Sequence, residues 1–358
     1  MAYKLANELM NIITRKKPTA PEPTVAASQD HEVAGTFGAW RGPIGDVSVD
    51  PDSGTVVVTN YGDETVSVIH PAVPSVESVA VGGEPVAVCI ANDLAYVATS
   101  SAGYDAVTVV DTAAKAVTAT YPLAFSITAL AVSPDGKRVF AGRSGNDTVD
   151  IAVIDTTAER VGTIDIADGP ALTIDALRVD ATGKRLYVAT SDVRGGRLLL
   201  VNAETARVES ALRIDAPIRD LAIGPDGTAY LLTSDRVRGG AIIAVDVAAK
   251  AVAGVIAIGG APTQMAITPD GTRLYIVDYD RVAELSVRTN EVVGTVTVGA
   301  RPSSVAVSAD GGKLVVADYA GEVTEFALTV TRALRRSHAG SGRASLPPRH
   351  RALERATA

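Results

Sequence analysis

The chain alternates short apolar runs with turn residues over most of its length. A typical stretch reads as an apolar run, a Pro-Asp-Gly turn, a second apolar run, a polar loop and two further apolar runs. Short runs rich in Val, Ile and other β-branched residues, bounded by Gly, Pro and Asp, predict strands. The same order returns along the chain, which predicts a repeat of four-stranded units.

The turn after the first strand of each unit gives the period of the repeat. Glycines 136, 183, 227, 271 and 311 end this turn and are 47, 44, 44 and 40 residues apart, while the 82 residues from Gly54 to Gly136 span two units. Seven units result. Four short strands every 40 to 47 residues is typical of the blades of a β-propeller.

The two ends of the repeat region complement each other. Residues 31–43 nearly repeat residues 290–302, which hold the fourth strand of unit six, whereas unit seven stops after its third strand, at 325–330. An open ring would leave strand edges unpaired. We therefore predict an all-β fold: a seven-bladed β-propeller with four antiparallel strands per blade, closed by the N-terminal strand Val33–Ala39, which completes the last blade.

One unit carries a family motif. The first reads Val57-Val-Thr-Asn-Tyr-Gly-Asp-Glu-Thr-Val-Ser-Val-Ile69. It resembles the repeat of the YVTN family of β-propellers, Tyr-Val-Thr-Asn followed by Thr-Val-Ser-Val-Ile-Asp, with Val57 in place of Tyr and His70 in place of Asp. The resemblance covers about residues 31–330 and implies a bacterial propeller; the Ala, Val and Arg bias favours an actinobacterial member. It implies architecture and transfers no catalytic residues.

Charge divides the chain into three parts. The net charge is −8, but residues 331–358 carry seven Arg against one Glu and residues 1–30 carry a net +1, which leaves −15 for the rest. We predict an amphipathic helix and a Pro/Ala linker over 1–30, the propeller over 31–330 and a basic disordered tail over 331–358. The acidic body argues against nucleic-acid binding by the main domain, because phosphate contacts need clustered Lys and Arg.

The N-terminal segment has a helical spacing of apolar residues, Leu5, Leu9, Ile12 and Ile13, followed by Lys16 and Lys17. Residues 2–17 could make a weak contact with an anionic membrane or dock into a partner groove; docking on the propeller or fraying is the equal alternative. The first ten residues lack an apolar stretch of the signal-peptide kind, so we expect a cytoplasmic protein, with cell-envelope association as the alternative.

Candidate binding residues lie on one face of the predicted ring. The loops between the second and third strands of each blade, the b–c loops, are long and variable, and binding residues concentrate on such loops. Tyr, Trp and Arg are the types enriched at binding hot spots; the alternative is ordinary solvated loop residues. The candidates for partner or ligand binding are Trp40, Arg41, Tyr61, Tyr104, Arg143, Arg194, Arg236, Arg238, Tyr279, Arg281 and Tyr319.

The mouth of the central channel is the second candidate location. Asp46, Asp175 and Asp220 fall at or next to one equivalent position of the first strands and are weak candidates for a calcium site, since hard cations prefer carboxylate oxygens. The alternative is a water-filled, hydrogen-bonded channel with Arg219 paired to an Asp. Arg178 stands where other units have a small Ala, and we expect it to be paired.

The usual catalytic residues are scarce. The four histidines, His31, His70, His338 and His350, fall away from the channel, and Cys89 is the only cysteine. We therefore predict no cofactor and favour a non-catalytic scaffold that binds a protein partner through the b–c loop face. The alternatives are a metal-dependent, lactonase-like hydrolase or a small-ligand-binding propeller at the channel mouth, and a peripheral cell-envelope scaffold.

Overall fold

The described part of the chain consists of strands arranged in seven four-stranded antiparallel sheets. The structure is a computed structural model, and it describes residues 31–71, 73–124, 126–145, 147–235 and 237–328. The predicted N-terminal helix, the linker, the basic tail and Arg236 lie outside these residues.

The strands follow one another blade by blade. The first strand is β1 (Glu32–Gly38), and blades 1 to 3 are built from β2 (Ile44–Val49), β3 (Val56–Asn60), β4 (Thr65–His70), β5 (Val73–Ala80); β6 (Glu84–Ala91), β7 (Leu94–Ser100), β8 (Asp105–Asp111), β9 (Ala116–Leu123); and β10 (Ile127–Val132), β11 (Arg138–Ser144), β12 (Thr148–Asp155), β13 (Arg160–Asp168).

Blades 4 to 7 continue the same order. Their strands are β14 (Thr173–Val179), β15 (Arg185–Asp192), β16 (Gly195–Asn202), β17 (Arg207–Ile214); β18 (Ile218–Ile223), β19 (Ala229–Asp235), β20 (Gly239–Asp246), β21 (Ala251–Ala257); β22 (Pro262–Ile267), β23 (Arg273–Asp278), β24 (Arg281–Ser286), β25 (Glu291–Val296); and β26 (Pro302–Val307), β27 (Lys313–Asp318), β28 (Glu322–Ala327).

Blade 7 is completed by the N-terminal strand. Its sheet has the order β1-β28-β27-β26, and β1 runs antiparallel to β28, from Glu32 opposite Ala327 to Gly38 opposite Glu322. The first strands of neighbouring blades contact one another around the ring, and β2 of blade 1 contacts β26 of blade 7. The predicted seven-bladed propeller and its closure are therefore confirmed, with the closing strand one residue earlier than predicted.

Burial explains the apolar pattern along each blade. The second and third strands are enclosed on both faces, so β3 is buried throughout and opens with three consecutive valines. The fourth strands form the outer edge, and β9 accordingly alternates between exposed and half-buried positions. Each hydrophobic cluster spans two blades; Phe140 and Ile151 of blade 3, for example, pack with Leu177 and Leu186 of blade 4. Burial between blades therefore stabilises the ring as a whole.

Candidate functional site

The joint between the first strand and the last blade lies on the face formed by the b–c loops, called here the loop face. The backbone N–H groups of Ala39 and Trp40 both donate to the carbonyl oxygen of Gly321, at 2.8 and 3.1 Å. The Trp40 indole lies so close to Gly38 that a Cβ atom there would overlap the ring. Gly38 thus lets the indole pack against the backbone while its other side faces solvent.

Five aromatic side chains of the loop face are exposed. They lie on consecutive blades, and their exposed fractions are between 48% and 65%. Rings that stay open to solvent on a rigid scaffold can bury a large area against a partner at little entropic cost. This set is called the aromatic arc, and in ring order it consists of Tyr279, Tyr319, Trp40, Tyr61 and Tyr104.

Arg301 connects two members of the aromatic arc. Its guanidinium carbon lies 4.3 Å from the Tyr279 ring centroid and 5.5 Å from that of Tyr319, and its Nε donates to the Tyr279 carbonyl oxygen at 3.0 Å. These are cation–π distances. The stack holds two rings of neighbouring blades in place. The sequence reasoning missed Arg301, although an arginine directly before the proline that opens β26 was a usable signal.

Some of the arginines predicted to bind a partner form ion pairs within the protein, and others do not. Arg143 lies in β11 and Arg281 in β24, both inside strands, where they form ion pairs with Asp150 and Asp278; Arg41 pairs with Asp63 on the surface. Arg194 and Arg238 lie in loops, and the salt bridges among the described residues include neither. Their loops also carry Val193 and Val237, which are 86% and 90% exposed and which the sequence reasoning had not singled out.

The Tyr61 hydroxyl lies beside a carboxylate of the next blade. A hydrogen bond to Glu84 and its negative charge raise the pKa of Tyr61 above the usual value for tyrosine. One carboxylate oxygen of Glu84, Oε1, is buried and has no hydrogen-bond partner among the described residues. Glu84 therefore offers a hydrogen-bond acceptor beside Tyr61 at the edge of the aromatic arc.

The channel mouth is shaped by β-bulges. In every blade the pairing of the first and second strands shifts register, so extra residues of the first strand stand opposite the second strand. Such bulges re-aim side chains. Seven bulge residues, one per blade, line a single cavity of about 740 Å³ in the channel. This set is called the bulge ring and consists of Gly45, Val86, Thr128, Asp175, Arg219, Thr263 and Ser303.

Next to the bulge ring, polar side chains of the first strands connect different blades. Asp46 Oδ2 accepts a hydrogen bond from the Val88 N–H of blade 2 at 3.0 Å, and its Oδ1 accepts one from Gln264 Nε2 of blade 6 at 2.9 Å. Burial raises the pKa of Asp46, although these donors oppose the rise. Asp220 accepts the Met265 N–H of the next blade at 2.9 Å. Asp46 therefore connects blade 1 to blade 2 and, past blade 7, to blade 6, whereas Asp220 connects the neighbouring blades 5 and 6.

Three predictions for the channel meet different outcomes. Arg178 is paired as expected, because its Nη2 donates to Asp220 Oδ1 at 2.8 Å. Arg219 forms no ion pair with any described residue, so the expected pairing to an Asp is wrong for it. Asp46, Asp175 and Asp220 do not gather around one point, and within the described ranges no group of three or more His, Cys, Asp or Glu residues is arranged to hold a metal ion.

Two polar atoms of the bulge ring lack partners. Asp175 Oδ1 accepts a hydrogen bond from Thr173 Oγ1 at 2.8 Å, but its Oδ2 is buried without a partner among the described residues, and so is Ser303 Oγ. Burial raises the pKa of Asp175, although the hydroxyls of Ser191 and Thr173 and the positive charge of Arg219 oppose the rise. Unpaired buried polar atoms are uncommon in folded proteins. The sequence could not indicate them, since they depend on the bulge geometry.

Comparisons with known proteins agree with this architecture. A seven-bladed beta-propeller protein of Mycolicibacterium smegmatis is 52% identical over 299 residues, 81% of each chain. The seven-bladed beta-propeller protein Rv1057 of Mycobacterium tuberculosis is 33% identical over 226 residues, 54% of this chain and 58% of that protein. In the described residues no helix is long and apolar enough to cross a membrane.

A structural comparison gives the fold alone. The hydrazine synthase of Kuenenia stuttgartiensis superimposes with a TM-score of 0.72 at 22% identity, covering 82% of this chain and 97% of that one. No family model matches the sequence. On the strength of its mycobacterial relatives, the chain belongs to the family of seven-bladed beta-propeller proteins.

Proposed function

We propose that the protein is a non-catalytic scaffold that binds a protein partner through the aromatic arc. The observation that carries the proposal is the exposure of five aromatic rings on consecutive blades of one face. Large apolar groups left in contact with water on a rigid surface are typical of interaction sites. The Arg301 stack supports this, because it fixes Tyr279 and Tyr319 before a partner arrives.

Charge favours a basic partner surface. Residues 31–330 carry a net −15. Near the aromatic arc, Glu64, Asp280 and Glu322 form no ion pair with the residues that the structure describes. Arginine and lysine side chains of a partner would meet these carboxylates and stack on the open rings, as Arg301 does within the chain.

The proposal is tested by affinity capture with cross-linking from cells that express the tagged full-length chain. We expect a protein recovered with the wild type to be lost with the double variant Tyr61→Ala/Tyr319→Ala. The matched control is Val161→Ala/Val252→Ala, which changes two exposed apolar residues of the outer strands. Equal recovery of the same protein by the arc variant and the control would contradict the proposal.

We also infer that the repeat is of the YVTN type. Within the first unit, Asn60 Nδ2 donates to Thr65 Oγ1 and Ser67 Oγ, both at 2.9 Å. The Asn of the motif thus binds the Thr and Ser of the following strand, which gives a physical reason for these residue types to occur together.

A further inference from the structure

We propose that the channel mouth binds a small carboxylic acid that also carries a hydrogen-bond donor, as hydroxy acids and amino acids do. The carboxylate is placed on Arg219 and the donor on Asp175. Tyr319 of the aromatic arc also lines this cavity. The ligand contacts proposed here are made by Arg219 and Asp175, which lie outside the arc, so the inference goes beyond the proposed function and does not depend on it.

Arg219 is the anion-binding group of this site. It is exposed, projects from a bulge of β18 into the cavity, and has no hydrogen-bond or ion-pair partner among the described residues. Arg178, the other arginine of the cavity, is already occupied by Asp220 and by its neighbour's carbonyl oxygen. A guanidinium presents donors in a planar fork that matches a carboxylate. The open fork of Arg219 therefore suits the carboxylate of a ligand.

Asp175 and Ser303 supply the complementary polar atoms. Asp175 adjoins Arg219 in the bulge ring, and its Oδ2 has no donor within the described part of the chain. Ser303 is 9% exposed, and its Oγ is likewise unpaired. Leaving such groups buried and unpaired is costly, and a ligand that donates to Asp175 offsets that cost. A plain carboxylate would leave the Oδ2 atom of Asp175 without a donor.

The charges of the cavity favour a ligand with no more than one net negative charge. Three carboxylates, Asp46, Asp175 and Asp220, face two guanidinium groups, so the cavity carries one more negative than positive charge. A phosphate dianion would add two negative charges beside one open arginine, and like charges repel strongly at short range. The opposite wall is apolar, with Val86, Ala87 and Ala129, and leaves room for a short hydrocarbon part.

The test is calorimetric titration of the full chain with five probes at millimolar concentrations: lactate, alanine, acetate, inorganic phosphate and ethanolamine. We expect lactate or alanine to bind more tightly than acetate, phosphate and ethanolamine. Arg219→Gln should weaken that binding by roughly 10- to 100-fold, because a charge-assisted pair is lost. Asp175→Asn should reduce the difference between the preferred probe and acetate.

The matched control is Arg194→Gln, which removes an arginine of the loop face that does not line the cavity. It should leave the affinity unchanged. Arg219 makes no contact that the fold needs, so Arg219→Gln should keep the melting temperature of the free protein. The proposal is overturned if neither lactate nor alanine binds, if phosphate binds more tightly than both, or if Arg219→Gln binds as the wild type does.

Discussion

His31 Nε2 lies 2.9 Å from Glu284 Oε2, a contact between the start of the closing strand and the third strand of blade 6. Glu284 is 2% exposed and also accepts a hydrogen bond from Arg273. At the other end of β1, Ala39 and Trp40 are bound to Gly321. The strand that closes the ring is therefore held at both of its ends by contacts outside its own ladder.

Removing the His31 contact should destabilise the protein. We expect His31→Ala to lower the free energy of unfolding by about 1–3 kcal/mol, because a buried carboxylate loses one of its two partners. His70→Ala is the matched control, since His70 contacts a single hydroxyl, that of Thr55, at 3.2 Å. Urea unfolding measures both. An equal loss in the two variants would show that the His31 contact adds nothing specific.

The closing strand should depend on one side chain more than on the rest. Most of β1 is exposed, but Phe37 packs on the cluster that includes Val323 and Ala317. We expect Phe37→Ala to cost about 2 kcal/mol, less than a fully buried Phe, whereas Val33→Ala on the exposed side should cost less than about 0.5 kcal/mol. Trp40 is the only tryptophan, so its fluorescence reports the joint directly during denaturation.

If the joint opens before the blades melt in Phe37→Ala, the fluorescence transition will occur at lower urea than the circular-dichroism transition. Coincident transitions in that variant would instead mean that the ring unfolds as one unit even when its closure is weakened.

The protein should become less stable in acid, because Asp50 is then protonated. Burial alone would raise the pKa of Asp50, but the N–H donors of Ser53, Asp93 and Asp52 outweigh it and hold the pKa below 3.8. A lowered pKa contributes stability above pH 3.8 that is lost as the pH falls through the folded-state value. Asp50→Asn should therefore cost about 1–2 kcal/mol at pH 7 and little near the acid limit.

Melting temperatures between neutral and strongly acidic pH measure this effect. Asp52→Asn serves as the control because the Asp52 side chain is exposed and accepts no hydrogen bond from the described residues. The Asp93 N–H donates to Asp50 across blades 1 and 2. If the difference in melting temperature between Asp50→Asn and the wild type stays constant with pH, the charge of Asp50 does not stabilise the protein through this contact.

Arg301 should matter for binding more than for stability. Arg301→Ala removes the guanidinium between Tyr279 and Tyr319, and we expect a loss of less than about 1 kcal/mol in unfolding free energy, since exposed cation–π contacts are weak. Recovery of the partner bound through the aromatic arc should nevertheless fall, because two rings lose their fixed positions. Arg301→Lys should retain part of the effect, and full recovery by Arg301→Ala would contradict a positioning role.

The fold was predictable because the sequence repeats once per blade. Equal spacing of turn glycines and the match of 31–43 to 290–302 depend only on local sequence, and both led to the observed ring. The site was less predictable because it depends on pairing register. The sequence pattern predicts loops at Arg143 and Arg281, yet both residues lie in strands and are paired with Asp150 and Asp278.

The bulges could not be predicted from the sequence for the same reason. An extra residue such as Arg219 is defined only by the register of the facing strand. The contact of Arg301 with two blades likewise joins residues 22 and 18 positions away, across turns that sequence spacing does not relate. The types of the residues were enough to predict the members of the aromatic arc. The contacts that fix their positions, such as those of Arg301, could be found only from the structure.

The bulge in each first strand has a consequence for how this protein can diverge. The extra residue has no partner across its sheet, so replacing it disturbs no pair in the ladder of that blade. Seven such residues surround one opening. Substitutions at the bulge ring, whose members range from Gly45 to Arg219, can therefore change the polarity and charge of the channel mouth one residue at a time. The strands that support the ring stay the same.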